Sequence, residues 1–199
     1  MSDQTILTSS DTQRANRIPP GQFQTVKWPV LHAGSVPRID LQKWQLQLWG
    51  QVERPTVLNW TELQAQPHVK IFADMHCVTR WSMLDNTWEG VSTRQLSSLA
   101  GVKPEAKYVI AHGAHGFTTN MPLADFLDED CLVAWSRNGE ALDPDHGWPL
   151  RLVIPKLYAW KSAKWLIGLE FASTDEPGFW EQNGYHNHGD PWTEERFWD

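Results

Sequence analysis

Apolar and polar residues alternate through "WQLQLWGQV" (44–52), the period of a strand with one buried face, and Gly50 predicts a bend within it. "VKIFADMHC" (69–77) reads as a strand that runs into a loop at Cys77. "AKYVIAHG" (106–113), "PLRLVIPK" (149–156) and "KWLIGLEFAS" (164–173) read as further strands. In "CLVAWSRNGEAL" (131–142) the Asn-Gly pair predicts a hairpin turn. Helical signals are short. "NWTELQAQ" (59–66) offers Asn59 or Thr61 as cap, and "STRQLSSLAG" (92–101) starts at Ser92 or Thr93 and stops at Gly101. "MPLADFLDE" (121–129) reads as one more short helix. Residues 19–37 are rich in Pro and Gly and predict an extended segment, while 1–20 read as a flexible lead-in. Intermixed helices and hairpin-type strands indicate an α+β fold, with residues 21–199 as a single domain.

Composition narrows the function classes. A chain of 199 residues can bury a sizeable core, and its net charge of −7 argues against a general nucleic-acid surface. No apolar run approaches the roughly 18 residues of a membrane span, and the first twenty residues lack the apolar stretch of a secretory signal. The expected compartment is the cytoplasm. Two cysteines, Cys77 and Cys131, exclude a disulfide framework and an all-cysteine zinc site. The 13 tryptophans suit a packed core, an aromatic-walled pocket, or both.

The chemistry-bearing positions are few. The motifs GxGxxG, GxxxxGK[ST], HExxH and GxSxG are all missing, which lowers the odds of dinucleotide, NTP, zincin and α/β-hydrolase chemistry. Cys77 stands at a strand-to-loop transition beside His76 and Arg80, where positive neighbours favour the thiolate. A buried filler thiol, a nucleophile and a soft-metal ligand all fit it. Cys131 heads an apolar run and reads as core. In "HGWPLRLVIPKLYAWKSAKWL" (146–166), Arg151, Lys156, Lys161 and Lys164 interrupt apolar sequence. They suggest either a solvated face or a pocket for a phosphate-like anion, with Arg151 supplying a fork and Lys164 a point charge. His186, His188 and Asp190 in the tail suit polar loop positions, with a zinc site as a weaker reading.

Several blocks in order resemble the sulfite oxidase family of molybdopterin enzymes, over about residues 28–192. "WQLQLWGQVERPTVLNWTEL" is similar to the family's opening strand pair and helix, and "CVTRWSM" with the downstream "WEGV" to its cysteine loop. "HGWPLRLVIP" followed by "KSAKWL" is similar to its pterin-binding segment, and "GFWEQNGY" to the segment with its active-site tyrosine. The resemblance implies that Cys77 ligates molybdenum and that one molybdopterin is held by His32, His112, His146, Arg151, Ser162, Ala163 and Lys164. It implies that Tyr185, and Arg80 with it, face the substrate.

The resemblance also implies a mixed α+β catalytic-domain fold and two-electron oxygen-atom transfer. Val30 and Leu31 precede His32 without an arginine, and Arg80 is the one arginine of the cysteine loop. That pattern is closer to the small stand-alone bacterial members, the methionine-sulfoxide reductase catalytic subunit among them, than to enzymes acting on sulfite. The expected substrate is a small S- or N-oxide type molecule. No haem, flavin or iron–sulfur motif is present, so electrons are expected to pass to or from a separate protein. A cysteine-nucleophile enzyme built on Cys77 and a non-catalytic aromatic-rich binding module are the rival readings.

Overall fold

The computed structural model describes residues 6–198. In chain order the strands are β1 (Ile6–Thr8), β2 (Phe23–Gln24), β3 (Gln45–Gly50), β4 (Thr56–Asn59), β5 (Val69–His76) and β6 (Trp81–Ser92). They continue as β7 (Tyr108–Gly113), β8 (Thr118–Pro122), β9 (Leu132–Arg137), β10 (Glu140–Ala141), β11 (Arg151–Val153) and β12 (Leu166–Ala172). The described residues also form four short α-helices, α1 (Trp60–Gln64), α2 (Thr93–Ala100), α3 (Leu123–Phe126) and α4 (Phe179–Gln182).

Among the described residues the strands form two mixed sheets. The seven-stranded sheet runs β1-β5-β6-β9-β10, with β2 beside β6 and β11 beside β9. The five-stranded sheet runs β4-β3-β12-β7-β8. The β1–β5, β2–β6 and β3–β12 pairs are parallel and the remaining pairs antiparallel. The alternation of β3 puts Leu46 and Leu48 in the core and its glutamines in solvent. Those leucines pack with Val109, Leu169 and Phe171 of the same sheet and with Val91, Val133 and Leu152 of the other. A second apolar cluster holds Ile71, Met75, Cys77, Trp81, Trp88 and Tyr158. The candidate site grows from this second cluster.

Local signals hold where they are strong. Asn59 caps α1 in a reciprocal box with Glu62, so Asn59 rather than Thr61 is the cap. Ser92 caps α2, and Gly101 ends it in the left-handed region at φ 66°. Two predicted elements shrink: the 121–129 helix is four residues long and the 149–156 strand three. The longest strand, β6, is not apparent from the pattern. The register shift at Ala73/Met75, where Leu84 and Asp85 oppose the single residue Asp74, breaks its alternation, so it reads as an irregular mixture.

The stretch read as a flexible lead-in makes specific contacts from residue 6 onward. β1 pairs with β5, Ser9 donates to buried Asp130, and Arg17 forks onto buried Asp74. Residues 1–5 of that stretch lie outside the described residues.

Candidate active site

Strand β5 delivers Cys77 to a tight turn into β6. The Cys77 N–H donates to Trp81 O at 2.9 Å and Arg80 N–H donates to Cys77 O at 3.0 Å. Arg80 closes the turn with φ 75°, a left-handed conformation that a non-glycine residue adopts at a cost. Two distant segments clamp the loop: Gln22 Nε2 donates to Cys77 O at 3.0 Å and Arg196 to Val78 O at 2.7 Å. The Cys77 thiol lies 3.2 Å from Thr79 Oγ1, and burial pushes it up from the ordinary thiol value. It is 7% exposed and lines a cavity of about 380 Å³.

The other wall is cationic. β11 places Arg151 in the interior, 2% exposed, where it donates to His146 O and Ser162 O at 3.0 Å each. The Ser162 hydroxyl accepts from Ile154 N–H at 3.0 Å, and Leu152 N–H donates to Ala163 O at 2.8 Å, so strand and following loop are stitched together. Lys164 donates to Asp145 O at 2.6 Å. Burial first, then repulsion from Arg151, lowers Lys164 to about 7. Burial and the nearby Arg137 pull Arg151 down as well. Among the described residues no carboxylate lies within ion-pair distance of Arg151 or Lys164. Two cations facing a cavity without an anion is a costly arrangement, and a bound anion relieves it.

Tyr185 enters from the segment after α4. Trp180 stacks on its ring at 4.9 Å, Trp160 meets it edge-on at 5.1 Å and Phe197 at 5.5 Å. Its hydroxyl makes no hydrogen bond within the described residues.

The cavity thus gathers Cys77, Tyr185, His32, Arg151, Ser162, Ala163 and Lys164. His32 meets Trp165 edge-on at 5.2 Å. Three expected site residues lie elsewhere. His146 sits behind the wall, stacked on Trp28 at 3.8 Å, with Nδ1 on Asp143 and a buried Nε2 that has no partner among the described residues. His112 faces the opposite side of its sheet, paired with Glu170 at 3.0 Å and packed on Trp49. Arg80 points to solvent and to Gly21 O rather than into the cavity. The tail histidines form ion pairs: His188 bridges Asp125 at 2.8 Å and Glu195 at 2.9 Å. Trp28, Thr79, Trp160 and Trp180 also line the cavity. The abundance of tryptophan signals an aromatic wall but does not say which ring goes where.

These donors fit a molybdopterin. Its phosphate would meet Arg151 and Lys164, and a soft metal would find the Cys77 sulfur on the facing wall. Comparison with known proteins agrees. The family described as oxidoreductase molybdopterin binding domain matches residues 33–180. The oxidoreductase YuiH of Bacillus subtilis is 52% identical over 190 residues, covering 94% of this chain and 96% of that protein. The protein-methionine-sulfoxide reductase catalytic subunit MsrP of Campylobacter jejuni is 28% identical over 173 residues, which cover 75% of this chain and 56% of that protein. The crystal structure of the sulfane dehydrogenase SoxCD from Paracoccus pantotrophus matches with a TM-score of 0.67 at 25% identity, over 79% of this chain and 46% of that one. The chain belongs to the oxidoreductase molybdopterin binding domain family, and is a sulfite oxidase-like oxidoreductase whose cofactor is molybdenum with molybdopterin.

Proposed function

We propose that the cavity holds one molybdopterin with its molybdenum on Cys77, and that the chain catalyses two-electron oxygen-atom transfer on a small S- or N-oxide type molecule. The observation that carries this reading is the cavity itself, a single thiol facing two cations that have no carboxylate among the described residues. The cofactor, when bound, supplies the redox chemistry. Cys77 provides the protein's sulfur ligand, and Arg151 and Lys164 neutralise the cofactor's anionic end. His32, Ser162 and Ala163 line the cavity that would receive it. His146 supports from behind, since its carbonyl accepts from Arg151. Tyr185 presents a hydroxyl that is free to donate to substrate oxygen, and Trp160 and Trp180 exclude water around it.

Leu31 and Phe179 give the cavity apolar lining, and Arg80 adds no oxyanion grip there. Both favour a compact neutral oxide over sulfite. Electrons would be exchanged with a separate redox protein. No helix among the described residues is long and apolar enough to cross a membrane.

The nucleophile alternative is disfavoured by geometry. His76 alternates to the other side of β5, with Nδ1 on Ser82 Oγ at 2.9 Å, and burial raises rather than lowers the Cys77 thiol. Metal analysis of protein from a host that makes molybdopterin tests the proposal. The expectation is about one molybdenum per chain and a loss of at least about tenfold in Cys77→Ser. Wild-type protein expressed with molybdate yet carrying neither molybdenum nor pterin overturns it.

A further inference from the structure

Beneath Tyr185 lies an ion pair that the proposed chemistry does not use. Lys161 and Glu181 are fully enclosed, with side chains 0% exposed, and their charged groups are in direct contact. Lys161 Nζ also donates to Asn120 O at 2.8 Å, Asn120 Oδ1 at 3.1 Å and Asn187 O at 2.7 Å. Glu181 Oε1 accepts from Thr119 Oγ1 at 2.9 Å and from Trp160 Nε1 at 2.8 Å. The charges therefore tie β8, the loop after β11, α4 and the tail to a single point.

A buried pair of this kind contributes little net stability compared with well-packed apolar residues, so its presence calls for another reason. Tyr185 supplies one. Its hydroxyl has no partner among the described residues, so ring packing and the backbone bridge to Phe197 set where the phenol stands. Two of the three rings that pack on it are tied to Glu181. Trp160 is pinned by its indole N–H on the carboxylate, and Trp180 is the neighbouring residue of the same helix. Tyr185 N–H also donates to Trp180 O at 3.0 Å.

We propose that the Lys161–Glu181 pair is a positioning device for Tyr185, holding Trp160 directly and Trp180 through α4 against the phenol so that its hydroxyl is held at the cavity. Glu181 and Lys161 touch neither cofactor nor substrate; they act through the two rings. This rests on the proposed role of Tyr185 at the substrate, but the fluorine resonance that tests it does not depend on that role.

The chain has three tyrosines, so 3-fluorotyrosine labelling of the full cofactor-loaded chain gives three fluorine resonances. Tyr185→Phe assigns one of them, and Tyr108, opposite Pro122 at the far end of the β7–β8 ladder, reports on the fold. The double replacement Lys161→Met/Glu181→Leu removes the acceptor of Trp160 without leaving a lone buried charge. It is expected to shift or split the Tyr185 resonance by more than its own line width, with Tyr108 unchanged and molybdenum content retained. Turnover of an S-oxide with reduced viologen is expected to fall about tenfold, with no further fall when Tyr185→Phe is added. Glu181→Gln, which keeps an acceptor for the indole, is expected to show a smaller displacement and serves if the double variant does not fold. A Tyr185 resonance at its wild-type position and width in a folded variant overturns the proposal. Failure of the cofactor reading would show separately, as wild-type protein without molybdenum.

Discussion

Lys164 is a residue whose charge state is set by what stands opposite it. Its ammonium lies near Arg151 with a backbone carbonyl as partner, and its pKa drops from 10.5 to about 7. The unfolded chain binds this proton more tightly than the folded chain, so folding is penalised below about pH 7 and the penalty fades as pH rises toward 10.5. Denaturant midpoints of the cofactor-free protein are expected to rise across that range relative to Lys164→Met. A pH-independent difference between the two would show that Lys164 does not carry this charge penalty. An anionic cofactor restores the ammonium form, so loading should flatten the same dependence. Arg151 differs because it has no such freedom. Its guanidinium is spent on carbonyls of the flanking loops and keeps its charge, so it holds the wall together as well as facing an anion.

At the scale of elements, β6 is the hinge of the architecture. It pairs with β5 to form the cysteine turn and with β9 to reach the cationic wall through β11. Its approach to β9 depends on Gly90, where a Cβ would overlap the Val133 carbonyl. Gly90→Ala is therefore expected to destabilise the protein by about 3 kcal/mol, the scale of overpacking against a backbone that cannot yield. A loss under about 1 kcal/mol in chemical denaturation would mean that the strands can part at this point without consequence. The same crowding hides the strand in the sequence. Asp85 at φ 62° and the register shift beside it turn β6 over part-way along, so no single face stays apolar.

The whole molecule closes its site with both ends of the described chain. From the N-terminal side, Gln22 holds the Cys77 carbonyl; from the tail, Arg196 holds the Val78 carbonyl and also donates to Pro20 O at 3.2 Å. The tail that carries Tyr185 and Arg196 is itself latched by His188. Asp125 of α3 and Glu195 of the tail face its ring, with His186 beside Glu195 and Lys156 joining Asp125 to Asp128. The hydrogen bond that its ring donates to Asp125, ahead of the burial cost, raises His188 above its ordinary 6.5. The latch is thus fully charged below about pH 6.5 and is lost as pH rises through the raised value. His188→Gln is expected to lower the unfolding midpoint more at pH 6 than at pH 9, by less than about 1 kcal/mol because the ring is partly in solvent. An equal loss at both pH values would remove the charge from this account.

Sequence alone determined what is encoded within a few residues of itself. The alternation of β3, the caps Asn59, Ser92 and Gly101, and the order of cysteine, Arg151–Lys164 block and tyrosine were legible because each depends on spacing along the chain. Tertiary structure decided which of those residues meet. It brought His32, Cys77, Arg151, Lys164 and Tyr185 to one cavity, turned His112 to the far side of its sheet and sent Arg80 outward. It also buried Lys161, which in sequence is one more lysine among several, opposite Glu181. The physical reason is that the face a side chain occupies is set by register and bulges between strands far apart in sequence, and a one-residue shift reverses it. Residue types announce which chemistry is available; long-range pairing chooses the members of the site.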